Sequence, residues 1–445
     1  MNGRARRLVD YLGSTLWFVP GVMVVGALLV AYGLIELDRR LAWFETSDKL
    51  PWIFHGGANS ARDLLSAIAS SSITVMGVVF SITIVALTLA STQFTPRVLR
   101  NFMRDRGNQV VIGILTGTYA YAMLVMRSVR SVDEGTFVPT IAVTGGLLLA
   151  LVTTAAIIYF INHMAESIQA ASIIHRAAEA TKPLLVPRYP DGVGTALQAG
   201  AAPEAGRDGE VRATRSGYVG YVDGDALLGI AGRHDVVVRI DSEPGDFLLE
   251  GETLAVVHPA PVDDALARAI RDAVVLGEER SLQQDAEFGM RQIMDIAVKA
   301  LSPGINDPTT AVTCVDHLGA LLALAAAHPD PSPWRGDDEG RLRLVLRGQT
   351  FESLCGNAID QIRQHAERDV AVTLRLIRLV EAVGRVTPDE GRREILWRQA
   401  AMVAASAARN VEARDDRETV NAYLRRAAGA LGRDAAPHLL GSGAH

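Results

Sequence analysis

Residues 64–93 read LLSAIASSSITVMGVVFSITIVALTLASTQ, about thirty residues without a charge yet dotted with hydroxyls. A run of that length crosses a bilayer core, which needs roughly 20 apolar residues. At about 100° per residue, Ser66, Ser70, Thr74, Gly77, Ser81, Thr88 and Thr92 fall within an arc of roughly 80°. Ile84 shares that arc. The remaining faces carry Ile73, Val75, Val79, Phe80, Ile82, Leu87 and Leu89 and suit lipid. The hydroxyl stripe admits two readings. Small hydroxyl residues let helices pack closely and hydrogen-bond across the contact. Alternatively, stripes from several copies line a water path, with Ile84 as an apolar constriction between the Ser81 and Thr88 levels.

Three further charge-free segments complete a membrane domain: 15–35, 109–126 and 137–161. The first lacks a small-residue cleavage site, and the next span follows closely, so it reads as a membrane helix rather than a signal peptide. In the third span Gly113 and Gly117 form a GxxxG pair with Tyr121 one turn on, a helix-packing face. No span carries an acidic or basic residue in its apolar interior. Ion-coupled carriers place such groups at mid-membrane, so a passive pore or a membrane-anchored module fits better than a pump.

Loop charges set the expected orientation. Arg4, Arg6 and Arg7 precede the first span, and Arg97, Arg100, Arg104 and Arg106 crowd the loop after the second. The bias favours both termini on the cytoplasmic side of a bacterial plasma membrane. Trp43, Phe44, Trp52 and Phe54 in the first loop fit an outer aromatic belt. In PRVLRNFMRDR the apolar residues fall on one side of a helix and the arginines on the other, which suits contact with anionic headgroups. A plain topogenic loop explains the same arginines.

Residues 1–163 therefore read as the transmembrane domain and 164–210 as a helical extension of the fourth span followed by a Pro/Gly/Ala-rich linker. The extension is expected to run on rigidly from the fourth helix. Residues 211–260 alternate short β-rich runs with Gly and Asp, the pattern of a small β-module. PGDFLLEGETLAVV resembles biotinyl/lipoyl-like and membrane-fusion hybrid modules. Those carriers attach their cofactor to a hairpin lysine, and no lysine occurs between Lys182 and Lys299. The resemblance thus implies a structural module without covalent cofactor. From 261 to 435 the chain reads as all helix, with 436–445 as a tail. The fold class is a mainly α membrane protein: four transmembrane helices, a small β-rich module and an all-α cytoplasmic domain.

The most distinctive phrase of the helical part is ALSPGINDPTTAV. Asp307 before Pro308 starts a helix, since Asp caps free amides and Pro suits the first turn. Ser302-Pro303-Gly304 stops the helix before it. A helix-turn-helix corner accounts for most of the phrase. A ligand site at the helix N-terminus is the alternative, with Asn306, Asp307, Thr309 and Thr310 around it and Asp295, Lys299 and His317 near in sequence.

The composition excludes several classes. At net charge −6 nothing favours nucleic acid. Cys314 and Cys355 lie far apart and read as inert thiols of a reducing compartment. No catalytic triad, P-loop, dinucleotide fingerprint or zinc-spaced cluster occurs, so the chain reads as non-enzymatic, without cofactor or metal.

Together, SSITVMGVVFSITIVALTLASTQFTPRVLRNFMRD and FGMRQIMDIAVKALSPGINDPTTAVTCVDHLGALL resemble a family of bacterial predicted membrane proteins of unknown function. The resemblance spans nearly the whole chain. It implies four N-terminal membrane helices and a cytoplasmic C-terminal region, and carries no catalytic residues. The leading expectation is a homo-oligomeric passive pore regulated by its cytoplasmic part. The alternative is a membrane-anchored sensory or scaffold protein whose helical region binds a partner or small ligand.

Overall fold

The computed structural model describes residues 17–41, 54–93, 105–130, 137–198 and 207–441. Arg97, Arg100 and Arg104 lie outside the described residues, as do Trp43, Phe44 and Trp52, so the headgroup helix and most of the aromatic belt remain expectations. The chain divides into two compact units, Met1–Ser172 and Ile173–His445.

The first unit is four helices: α1 (Phe18–Leu41), α2 (Ala58–Gln93), α3 (Arg106–Ser128) and α4 (Thr140–Ser167). All four are long and apolar enough to cross a membrane. With 36 residues, α2 is about 54 Å long, well beyond the roughly 30 Å hydrocarbon core. It begins six residues earlier than the charge-free run, taking in Arg62 and Asp63. The centre of the bundle is α3, whose apolar window is 56% buried against 17–28% for the other three. Glycine explains that position. A Cβ on Gly113 would run into the Met23 side chain of α1, and one on Gly117 would stand 3.4 Å from Ala27 Cβ. The GxxxG face thus lets α1 and α3 approach closely.

Hydrogen bonds complete the bundle. Tyr121 Oη donates to the Ala142 carbonyl at 2.7 Å, and Thr118 and Thr153 bond through their hydroxyls at 3.0 Å. The residue before α4 is Pro139, whose side chain cannot cap. Asp38 of α1 does so instead, accepting from the Ile141 and Ala142 amides at 3.0 and 2.9 Å. The first charge-free segment ends at residue 35, but α1 runs on to Leu41 and so carries Asp38.

The expected rigid extension of α4 is interrupted. α4 ends at Ser167, Ile168 and Gln169 leave the helix, and α5 (Ala170–Leu185) begins anew. The apolar residues on one side of 168–178 suit packing whether or not the helix is continuous, so their spacing conceals the break.

The second unit continues from α5 into β1 (Thr195–Ala196), β2 (Gly209–Arg212), β3 (Gly217–Val222), α6 (Gly224–His234), β4 (Val237–Ile240), β5 (Phe247–Leu248), β6 (Thr253–His258), α7 (Asp264–Ala273) and β7 (Val274–Gly277). Then follow α8 (Ala286–Ala300), α9 (Pro308–Ala326), β8 (Trp334–Gly336) and β9 (Leu342–Leu346). Last come α10 (Phe351–His365), α11 (Val370–Val386), α12 (Glu390–Asn410) and α13 (Arg414–Leu431). One sheet has the order β1-β8-β9-β4-β6-β2, antiparallel except for the parallel β4–β9 pair; the other is β5-β3-β7.

The sheets therefore reach beyond 211–260. β7 follows α7 directly and pairs with β3, while β8 and β9 come from a stretch read as all helix. In β9 the alternation Leu342, Leu344, Leu346 is a strand period, masked by two arginines. Arg343, 5% exposed, is held at 2.8 Å by both Asp235 and Asp337. Pairing of that kind makes a buried guanidinium tolerable.

The PGD phrase serves a structural contact. Gly245 takes φ +103°, and a Cβ there would collide with Asp285. Asp285 is fixed by Arg280, by the Phe288 amide and by Gln349, whose amide also donates to the Pro244 carbonyl. The turn is thus seated on the N-terminus of α8. Burial nevertheless pushes the Asp285 carboxyl above its ordinary value, against the pull of Arg280.

Candidate functional site

On α2 two faces separate cleanly. Ala61, Leu65, Ile68, Ala69, Ser72, Val79, Thr83 and Ala86 are buried against the rest of the first unit. Val79, expected on a lipid face, belongs to this inner face, where it packs with Ile112, Leu115 and Phe160. Val75 and Leu87 are also partly buried against that cluster. The hydroxyl stripe lies roughly 150° around the helix from the inner face. Ser66, Ser70, Thr74, Gly77, Ser81, Ile84 and Thr88 are all exposed in the protomer. The side chain of Thr92 lies outside the described residues. Packing within one chain therefore does not use the stripe.

Three of the stripe hydroxyls are turned back on their own helix. Ser70 donates to the Ala67 carbonyl, Thr74 to Ser70 at 2.8 Å and Thr88 to Ile84 at 2.9 Å. With the proton used inside the helix, the oxygen lone pairs are what these three hydroxyls offer outward. No formal charge stands on this face between Leu64 and Gln93.

Arg106 is described as the first residue of α3. Beside it, Asp105 caps that helix, accepting from the Gly107 amide at 2.8 Å, and meets His163 Nε2 at 2.9 Å.

The ALSPGINDP corner is a capped turn. Ile305 and Asn306 donate to the Ser302 carbonyl, Asp307 donates to Ala300, and Asn306 takes φ +49°. Asp307 then accepts from the Thr310 amide at 3.1 Å and the Thr310 hydroxyl at 2.5 Å. Those bonds, the hydroxyl's first, hold the Asp307 carboxyl below its ordinary value. Asn306 and Thr309 are exposed. Asp307 and Thr310 thus come together, but they satisfy one another and the helix end.

A cavity of about 490 Å³ lies elsewhere in the second unit, lined by His328, Pro329, Asp330, Asp389, Arg392 and Ile395 among others. Asp330 accepts from both Arg188 and Arg392, at 2.9 and 2.7 Å, and from the Phe351 amide. Arg188 is 3% exposed; burial lowers its guanidinium's pKa, opposed by Asp330. Sequence reasoning missed this centre, because residues 188, 330 and 392 lie far apart in the chain. Cys314 and Cys355 are both fully buried and free, and burial pushes both thiols up. Among the described residues no three His, Cys, Asp or Glu side chains stand grouped as a ready metal site.

A bundle of long apolar helices with lipid-facing side chains, followed by a mixed α/β unit, defines a multi-pass membrane protein. The chain belongs to the predicted membrane protein family DUF2254, whose model matches residues 13–382. Uncharacterized proteins of Mycobacterium bovis and of two Mycobacterium tuberculosis strains are each 34% identical to it over 428 residues. The alignments cover 94% of this chain and 81% of each relative. No solved structure matches.

Proposed function

We propose that the protein is a homo-oligomeric, non-enzymatic pore of the bacterial plasma membrane in which α2 helices from several copies line a passive path. The observation that carries this reading is the exposed hydroxyl stripe, set opposite the packed face of α2 and flanked by apolar surface. Four helices enclose little space, so a path along α2 requires a symmetric ring of copies. Ser70, Thr74 and Thr88, whose protons are spent on their own helix, present lone pairs to the lumen, which favours cations. Ile84 forms the apolar constriction.

The test is flux through liposomes reconstituted with the full chain. The expected outcome is cation leak, reduced about tenfold or more by Ser81→Leu or Thr88→Leu, the steric block of a lumen. A monomeric particle in nanodiscs, or leak indifferent to both substitutions, overturns the reading. Both termini are assigned to the cytoplasm. A cysteine at Ser47 then reacts with impermeant reagents from outside, whereas one at Ser216 does not.

The cavity beside Asp330 favours a second reading, a membrane-anchored module that binds a small ligand. The two separate on flux: the anchored module conducts nothing.

A further inference from the structure

The cavity of the second unit lies between the tail of α9 and the first turns of α12, and its polar atoms divide into engaged and unengaged ones. Three donors converge on a single oxygen of Asp330. Arg188 Nη2 at 2.9 Å, Arg392 Nη2 at 2.7 Å and the Phe351 amide at 3.1 Å all meet Oδ1. Among the described residues nothing donates to its Oδ2. Asp389 also uses only Oδ1, which accepts from the Arg392 amide at 2.8 Å as the cap of α12. His328 sets Nδ1 3.0 Å from the Leu324 carbonyl. A carbonyl only accepts, so Nδ1 carries the proton and Nε2 of the neutral ring is a further acceptor. All three residues line the cavity and are exposed.

The arginine of the lining is already occupied. Arg392 Nη1 donates to the Ala325, Ala326 and His328 carbonyls at the end of α9, and its guanidinium lies 5.0 Å over the Phe351 ring. What the cavity offers a ligand is therefore two carboxylate oxygens and an imidazole nitrogen, between aliphatic walls from Ala327, Pro329, Pro388 and Ile395.

We propose that this cavity binds a small organic cation, an ammonium group on a short aliphatic stem. An ammonium has three donors and no acceptor, which matches a lining whose free side-chain atoms accept. Hydrogen bonds to ionised partners are roughly twice as strong as neutral ones, and an anion would meet both carboxylates. The aliphatic walls cover the stem. At about 490 Å³ the cavity falls in the usual range for small-molecule sites, about 300–1,000 Å³. The proposal rests on the reading of this cavity as a ligand site and names its ligand class; it stands whether or not the first unit conducts.

Three probes with the same four-carbon stem test it: 1,4-diaminobutane, 1,4-butanediol and succinate, each titrated against the full chain in detergent and followed by saturation-transfer NMR. The diamine is expected to bind about tenfold or more tightly than the diol, the gain from a charge-assisted pair, and succinate not to bind. Asp389→Asn, which still caps α12, and Asp330→Asn, which keeps an acceptor for both arginines, each weaken diamine binding about tenfold. Ala327→Trp fills the cavity and abolishes binding, and unchanged far-UV circular dichroism verifies that the variants fold. A diol bound as tightly as the diamine, or diamine affinity unchanged in Asp389→Asn, overturns the ammonium assignment and leaves the cavity as a site for another ligand. Diamine binding undiminished in Ala327→Trp, or no binding of any probe, overturns the cavity as a ligand site altogether.

Discussion

α2 and α9 are both long and apolar enough to cross a bilayer, yet they bury their apolar residues in opposite ways. Along α2, Ile73, Val78, Phe80, Ile82, Ile84, Val85 and Leu89 stay exposed. Along α9, Ala311, Cys314, Val315, Leu318, Leu321 and Leu322 are at most 1% exposed, enclosed by the other helices of the second unit. The difference is one of solvent. In water each apolar Å² removed stabilises by roughly 25 cal/mol, so α9 is covered by its neighbours. In lipid that drive between helices vanishes. The first unit instead relies on close approach at Gly113 and Gly117, on buried hydrogen bonds and on the borrowed cap at Asp38.

The largest expected effect tests this contrast directly. Leu322→Ala in α9 should cost about 2–5 kcal/mol by leaving a cavity in a closed core. Leu151→Ala in α4, where the side chain is 69% exposed, should change stability by less than about 0.5 kcal/mol. Denaturant unfolding in detergent, followed by circular dichroism, measures both. Equal losses would break the comparison.

Asp38→Ala comes next. It strips the start of α4 of its acceptor and leaves two amides unmatched in a buried setting, at about 1–3 kcal/mol. A lowered thermal midpoint in detergent, partly restored in Asp38→Asn, is the expected outcome. An unchanged midpoint would mean that backbone and lipid headgroups satisfy α4 without α1.

The smallest effect lies at the corner before α9. Asp307→Ala removes an N-cap worth about 1 kcal/mol. The Asp307 carboxyl is held below its ordinary 3.8, so its contribution is fully present above that value and is lost as pH falls through the folded value. Asp307→Asn should flatten the stability profile below about pH 4, leaving neutral pH nearly unaffected because Asn also caps. An unchanged acid limb would remove Asp307 from the account.

Local information in the chain was enough for local features. The four spans, the GxxxG contact, the hydroxyl arc on α2 and the Asp307-Pro308 helix start all depend on residues a few positions apart. Periodicity, capping chemistry and apolar length decide such features. Long-range partnership decided the rest. Nothing near Asp38 says that it caps a helix a hundred residues on. The arginines beside Leu342 and Leu344 obscured a strand whose parallel partner is β4, and Arg188, Asp330 and Arg392 meet only once the second unit closes. Sequence periodicity reveals which residues share a face, but packing determines what that face meets: the rest of its own bundle for Val79, the outside of the protomer for Ser81.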